Sequence, residues 1–319
     1  MMNSHALKKG IWEFKTYPSM VASNYGGSRL FWGCDMAWCL IKYGARPIDY
    51  YRFGFYKLNR HERARYLTFY KYMKIAKKLV GNGAIMGDKV KEYRKYAKYI
   101  RRSWIYAPES SDDVIISFVS DHREVVAKPN GGEQGKGVIV LKESNINKDM
   151  LNFLKDNEYI IEEKLVNSPE LASLNPSSLN TLRVYTMKDS LSKCHVLAIM
   201  LRVGKMGSEV DNWGAGGVGY NVDVETGTIV GYGIDKKGLK HIFHPGTDRI
   251  MPGFRVPNYK KMLDLIDGLS KIDENAKFVG WDIAITPDGF DLIEMNCPAG
   301  HDFLQTFGEP FGKKIKELW

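Results

Sequence analysis

The chain has 319 residues, 44% hydrophobic and 26% charged, with a formal net charge of +9. That length supports two or three packed lobes with a cleft between them. The composition is that of a soluble globular protein, since no apolar run approaches the roughly 18 residues of a membrane-spanning helix. The opening MMNSHALKKGIWEF lacks an apolar stretch followed by a small-residue cleavage site, so the expected location is cytoplasmic. Cys34, Cys39, Cys194 and Cys297 form no CxxC pair, which excludes a zinc or disulfide framework and leaves reduced thiols, mostly in packing positions.

The charge is uneven. Residues 1–110 hold 22 Lys and Arg against 7 Asp and Glu, an excess of +15 that leaves −6 for the rest. A basic first third fits a phosphorylated substrate, an anionic membrane surface met at its inner face, or nucleic acid, and equally a solvated helical face. No nucleic-acid-binding motif accompanies the charge, so no nucleic-acid partner is expected.

In chain order, Asn59 is suited to cap one long helix over HERARYLTFYKYMKIAKKLV, with Tyr66, Tyr70 and Met73 on one core-facing stripe and Gly81-Asn82-Gly83 at its end. A second helix is predicted from Lys89 to Trp104. From about Val114 the texture becomes β-branched and turn-punctuated: VIISFV, EVVAKP, GVIVL, YIIEEKL, LRVYTM, HVLAIMLRV, VGYNVDV and TIVGYGI all read as strands. A helix at Tyr259 to Leu269 follows, and then FVGWDIAIT and GFDLIEMN flank a Pro287-Asp288-Gly289 hairpin turn. There is no internal repeat.

Between EVVAK and GVIVL lies KPNGGEQGKGV, with Gly131, Gly132, Gly135 and Gly137 around Lys136. Such a loop is either a plain glycine-rich hairpin or a phosphate cradle, in which backbone N–H groups approach oxygen without Cβ interference and Lys128 adds positive charge. It is neither a Walker A loop nor a dinucleotide fingerprint. Glu162-Glu163-Lys164-Leu165 follows a strand and is either a solvated strand end or a linker whose backbone reads an adenine edge, with Glu170 within reach of ribose hydroxyls. Near the other end, Asp282 and the pair Glu294 and Asn296 sit on the two strands of the hairpin. Alternation puts Glu294 and Asn296 on one face, and a hairpin can place Asp282 beside them. Hard oxygen ligands of this kind suit Mg²⁺, and carboxylates among apolar neighbours such as Trp281, Ile283 and Leu292 need a partner.

This order of elements resembles the ATP-grasp superfamily. SSLNTLRVYT, EVDNWGAGGVGYNVDVETGTIVG and VGWDIAITPDGFDLIEMNCPAGHDFLQ resemble its sugar-transfer-associated branch, over at least Asp88 to Gln305. The resemblance implies an α+β ATP-grasp fold, two lobes gripping ATP after a basic helical N-terminal region, with boundaries near 1–110, 111–166 and 167–319. It implies that Lys128 and Gly131 to Gly137 hold the triphosphate, that Glu162 to Leu165 form the adenine hinge, and that Asp282, Glu294 and Asn296 bind Mg²⁺, with Mn²⁺ as an alternative. Lys89 falls where related ligases carry another nucleotide-contacting lysine, or is a surface lysine. Arg183, Arg202 and Asn212 fall where the superfamily holds the γ-phosphate and an acyl phosphate; strand arginines also serve as structural ion-pair members. His241 and His244 either face the acceptor or are silent loop residues.

The implied activity is that of an ADP-forming carboxylate-amine ligase in polysaccharide synthesis. Its partners would be ATP, an amino acid or other amine, and a carboxylate, one of them on a sugar. A kinase would keep the same ATP and Mg²⁺ residues but pass the γ-phosphate to a hydroxyl. A non-catalytic nucleotide-binding adaptor would tolerate loss of Asp282 or Glu294.

Overall fold

The structure, a computed structural model, describes residues 4–81, 85, 87–132, 136–208, 216–247 and 249–318. Its N-terminal part is helical: α1 (Ser4–Tyr25), α2 (Arg29–Tyr43), α3 (Pro47–Arg52), α4 (Arg60–Ala64), α5 (Phe69–Leu79) and α6 (Lys89–Lys95). The first three pack around their own core of Val21, Met36, Cys39, Tyr50, Phe53, Phe55 and Tyr66, and α4 joins them through Arg63, which donates to the Phe55 carbonyl and binds Asp35. Asn59 caps α4 as expected: its side chain accepts from the N–H groups of His61 and Glu62, and Glu62 reaches back to the N–H of Asn59.

The single long helix predicted from Asn59 is broken in two. Gln305 accepts from the Leu67 N–H and donates to the Leu67 carbonyl, both at 2.8 Å, so this backbone is extended and pinned to a distant side chain. The predicted stripe breaks with it: Tyr66 is buried outside the helix, whereas Tyr70 and Met73 are about half exposed. Helix α6 also ends early, nine residues before Trp104, because the N–H groups of Arg101 and Arg102 donate to Asp291 at 2.9 and 2.8 Å.

The chain then builds two antiparallel sheets. The smaller contains β1 (Trp104–Tyr106), β2 (Glu124–Pro129), β3 (Ile139–Lys142) and β4 (Tyr159–Glu163) in the order β1-β4-β2-β3. Helices α7 (Asp112–His122) and α8 (Lys148–Asp156) cover one of its faces through Ile115, Val119, Leu151 and Leu154. Helix α7 replaces the strand predicted at VIISFV. Ser111 caps it by accepting from Val114, two aspartates occupy its first turn, and the buried Ile115 and Val119 are one turn apart, so capping and helical spacing override β-branched propensity.

After α9 (Pro169–Ala172) come β5 (Thr181–Lys188), β6 (Cys194–Val203), β7 (Val218–Val222), β8 (Ile229–Asp235), β9 (Lys240–His241), α10 (Tyr259–Ser270), β10 (Phe278–Thr286) and β11 (Gly289–Asn296). Their sheet runs β11-β10-β5-β6-β7-β8-β9. Two short helices, α11 (Asp302–Gln305) and α12 (Phe311–Leu318), close the chain. Strand alternation divides this sheet's residues. Leu182, Val184, Ile199, Leu201, Trp281 and Ile283 enter the main core under α10. The intervening residues face the other way, and part of that face is covered by Leu79, Phe311 and Ile315.

All four cysteines are free, but Cys34 is exposed rather than packed. Among the described residues no helix is long and apolar enough to cross a membrane.

Candidate functional site

The uncovered part of the large sheet faces the small sheet across a cleft of about 2070 Å³. Period-two alternation places both walls. On β2, Val125 and Ala127 are in the core, so Val126 and Lys128 point into the cleft, joined by Val138 and Val140 around β3. On the opposite wall, Asp282 lies directly across from Arg183 on one side and Glu294 on the other, and Thr181 lies across from Arg202. Glu294, Asn296, Asp282, Arg183 and Arg202 therefore share a face. A bulge after Asp282 places Ile293 as the extra residue of β11.

Asp282 is almost fully buried, and both its oxygens meet arginine. Arg183 binds it through Nε and, at 2.8 Å, through Nη2; Arg202 Nη2 lies 3.0 Å from Oδ2 and also donates to Thr181 Oγ1 at 2.6 Å. Burial opposes ionisation of Asp282, but Arg183 and Arg202 outweigh it and hold the carboxyl below its usual range. Glu294 is more open and lies 3.6 Å from Lys89 Nζ, while Asn296 Nδ2 approaches the Gly280 carbonyl at 3.5 Å.

Among the described residues no three acidic, histidine or cysteine side chains converge. The hard oxygens of Glu294 and Asn296 nonetheless suit Mg²⁺. Asp282 can join them only if its arginines turn toward another anion.

On the small-sheet wall, Lys89 donates to the Gly132 carbonyl at 2.5 Å, and Asn130 accepts from the Val90 N–H at 2.9 Å and donates to Asp88 at 3.2 Å. The start of α6 thus anchors the stem of the glycine loop, and Lys89 links that stem to Glu294 rather than lying on an open helix face. A Cβ on Gly132 would come 2.6 Å from the Pro129 ring, and Gly137 has φ 77°, so both positions require glycine. Lys136 lines the cleft. Gly135 and Asn212 lie outside the described residues.

Beside the loop, Lys128 pairs with Glu162 at 3.0 Å. Glu162 also binds Arg102 at 2.8 Å and accepts from the Tyr93 hydroxyl at 2.7 Å. Arg102 continues to Asp291 and the Leu292 carbonyl. Burial would raise the Glu162 carboxyl, but Arg102, Lys128 and Tyr93 together hold it down at about 2. Its side chain is therefore committed to ion pairs. Glu163, Lys164 and Leu165 carry the chain from one sheet toward the other along the cleft, with Lys164 tied to Glu124 at 2.6 Å.

Three expected candidates stand apart. Glu170 is exposed and away from the cleft lining. His244 is buried, its Nε2 2.9 Å from the Gly204 carbonyl, and His241 pairs with Asp235 at 3.1 Å; neither histidine lines the cleft.

Sequence reading missed Tyr93, Arg102 and Asp291, which are brought together from separate elements. It also missed the Val126, Val138 and Val140 floor, which period-two counting from Lys128 would have found. Another omission is Glu92, buried on α6 and accepting from the Met295 N–H at 2.5 Å. Burial, then the neighbouring Glu294, pushes its carboxyl up to about 8 from an ordinary 4.5. Because the folded value is the higher one, Glu92 favours folding at low pH, and this contribution is lost as pH rises from 4.5 through 8. Urea unfolding of Glu92→Gln is expected to show a flatter pH dependence, with wild type losing up to about 1.4 kcal/mol per pH unit relative to the variant in that window. Parallel pH profiles would show that Glu92 is already ionised in the folded protein.

The chain belongs to the sugar-transfer associated ATP-grasp family, whose model matches residues 104–310, well over half of its length. No curated protein sequence matches it. Among solved structures it is similar to the ATP-grasp ligase PsnB complexed with minimal precursor, Mg and ADP, at 13% identity and a TM-score of 0.44, covering 72% of this chain and 56% of that one. It is also similar to D-alanyl-alanine synthetase A from Vibrio cholerae, at 10% identity, TM-score 0.45, and 73% and 63% coverage. A third is N5-carboxyaminoimidazole synthetase from Staphylococcus aureus complexed with ADP, at 12%, 0.42, and 68% and 45%. The chain thus spans about half to two thirds of the length of these proteins.

Proposed function

We propose that this protein is an ATP-dependent carboxylate-amine ligase working through an acyl phosphate. It joins an amino acid or other amine to a carboxylate, one of the two carried by a saccharide precursor of a surface polysaccharide. The observation that carries the reading is one cleft with two unlike walls. One wall has an apolar floor, an inter-sheet linker and a glycine loop stem; the other has two arginines, two carboxylates and an amide.

In this reading adenine lies on Val126, Val138 and Val140 against the backbone of Glu163 to Leu165. The triphosphate runs under the glycine loop, where Lys128, Lys136 and Lys89 supply positive charge. Mg²⁺ held by Glu294 and Asn296, with Asp282 nearby, would neutralise phosphate charge; Mn²⁺ has the same ligand preference. The substrate carboxylate attacks the γ-phosphorus, the bond to the bridging oxygen breaks, and ADP leaves. Arg183 and Arg202 neutralise charge on the moving phosphoryl group and then on the acyl phosphate. The amine then attacks the acyl carbon, inorganic phosphate departs, and the amine proton passes to solvent.

Amine-dependent ADP release is the direct test, with a product heavier than the acid by the amine less one water. ADP release that requires an alcohol and no amine would instead make the protein a kinase.

A further inference from the structure

The cleft is larger than one nucleotide needs. Small-molecule sites usually enclose about 300–1,000 Å³, half or less of the 2070 Å³ present here. The cleft lining continues from the large-sheet wall onto the N-terminal helices. Lys9, Trp12, Glu13, Thr16, Tyr17 and Met20 of α1 all line it, at spacings of three, one, three, one and three residues, which is one face of a helix. Part of that face packs, since Glu13 is buried and Tyr17 and Met20 lie against the N-terminal core, but its N-terminal half does not. Trp12 is 56% exposed although it lies in a concavity. Its edge rests against Tyr17, with ring centroids 5.9 Å apart, and Tyr17 stacks on Tyr51 at 5.2 Å. An aromatic ring is thus held in place with much of its surface uncovered.

Among the described residues, the same cleft is lined by Lys9, Arg46, Arg52, Lys236 and Lys237, with Glu13 and Asp302 as acidic neighbours and Asp49 behind Arg46. Arg46 is fixed by Asp49 and lies 3.9 Å over the Phe69 ring. Arg52 binds Asp302 at 3.1 Å and the Lys236 carbonyl at 3.3 Å, which ties the turn between β8 and β9 to α3. These contacts pre-order a wall with net positive charge, suited to phosphate oxygens, next to an indole suited to the apolar face of a sugar ring.

We propose that α1, α3 and the turn between β8 and β9 form the binding site for a diphosphate-linked sugar, the partner whose carboxylate or amine enters the joining reaction. This rests on the nucleotide-binding reading of the other half of the cleft. The diphosphate lies among Lys9, Arg46 and Lys237, the sugar covers Trp12, and its reactive group points toward Arg183 and Arg202. Lys9, Arg46 and Arg52, three of the 22 cations in the first 110 residues, thereby acquire a specific use.

The test is calorimetric titration of the full chain saturated with AMPPNP, which keeps the probe out of the nucleotide half. Two probes distinguish the sources of a diphosphate sugar: UDP-glucuronic acid, and undecaprenyl diphosphate-linked N-acetylglucosamine in detergent micelles. Binding of either is expected, weakened at least tenfold by Trp12→Ala and by Lys237→Glu and largely kept in Trp12→Phe. AMPPNP affinity should stay within twofold in all three variants, and the exposure of Trp12 and Lys237 makes a folding defect easy to exclude by thermal unfolding. Binding of neither probe, or equal affinity in wild type, Trp12→Ala and Lys237→Glu, overturns the proposal. Failure of wild type to bind AMPPNP overturns the nucleotide reading instead.

Discussion

Arg102→Met is expected to lower the free energy of unfolding by about 3–5 kcal/mol, the range for removing one partner of a buried ion pair. The Arg102 side chain is 1% exposed, and those of Glu162 and Asp291 are 9% and 2%. Its removal leaves Glu162 with Lys128 as its remaining ion-pair partner and withdraws the guanidinium from Asp291, where neither carboxylate can recover its hydration. The loss is also architectural, because Arg102 connects β4 of the small sheet with β11 of the large one. Urea unfolding at pH 7 measures the difference. A pH series adds a signature: the folded Glu162 carboxyl is held at about 2 against an ordinary 4.5, so its contribution is present above 4.5 and fades as pH falls toward 2. The gap between wild type and variant should narrow across that window. A variant within 1 kcal/mol of wild type at pH 7 would mean that the network contributes little.

The second large effect is catalytic. Arg183→Ala is expected to reduce ATP turnover by about 10²–10³-fold, as for loss of one pre-positioned donor to a developing charge. AMPPNP affinity should change little, since Arg183 lies on the wall opposite Lys128 and the glycine loop. Arg183→Lys keeps the charge but loses the two-pronged contact with Asp282, and should recover only part of the rate. Asp282→Asn frees both arginines and should also slow turnover, while Lys128→Ala should weaken nucleotide binding as well. Unchanged turnover in Arg183→Ala, Asp282→Asn and Lys128→Ala together would remove the catalytic role from this cleft.

Where local chemistry and strand alternation were sufficient, the sequence was readable. EVVAKP, LRVYTM, HVLAIMLRV, FVGWDIAIT and GFDLIEMN are strands as their patterns require, and Asn59 caps its helix. That Glu294 and Asn296 share a face was also legible from alternation, but the register set at the Thr286–Gly289 turn would pair Asp282 with Ile293, and the bulge after Asp282 is what brings Glu294 beside it. VIISFV misled because its β-branched residues outweighed the Ser111 cap and the four-residue spacing of Ile115 and Val119. The helices predicted to run through Leu67 and Arg102 failed for a different reason: their backbone groups are claimed by Gln305 and Asp291, 238 and 189 residues away.

The same division holds for the site. Residue types, glycine positions and two-residue periodicity determined which side chains could meet phosphate or a metal, since those features act over a few residues. Only tertiary structure decided that Asp282 is neutralised by two arginines, that Glu162 is held by Arg102 and Lys128, and that α1 lines the far end of the cleft. Burial makes an unpaired charge costly, so the partners of a buried charge are set by whichever elements the fold packs around it.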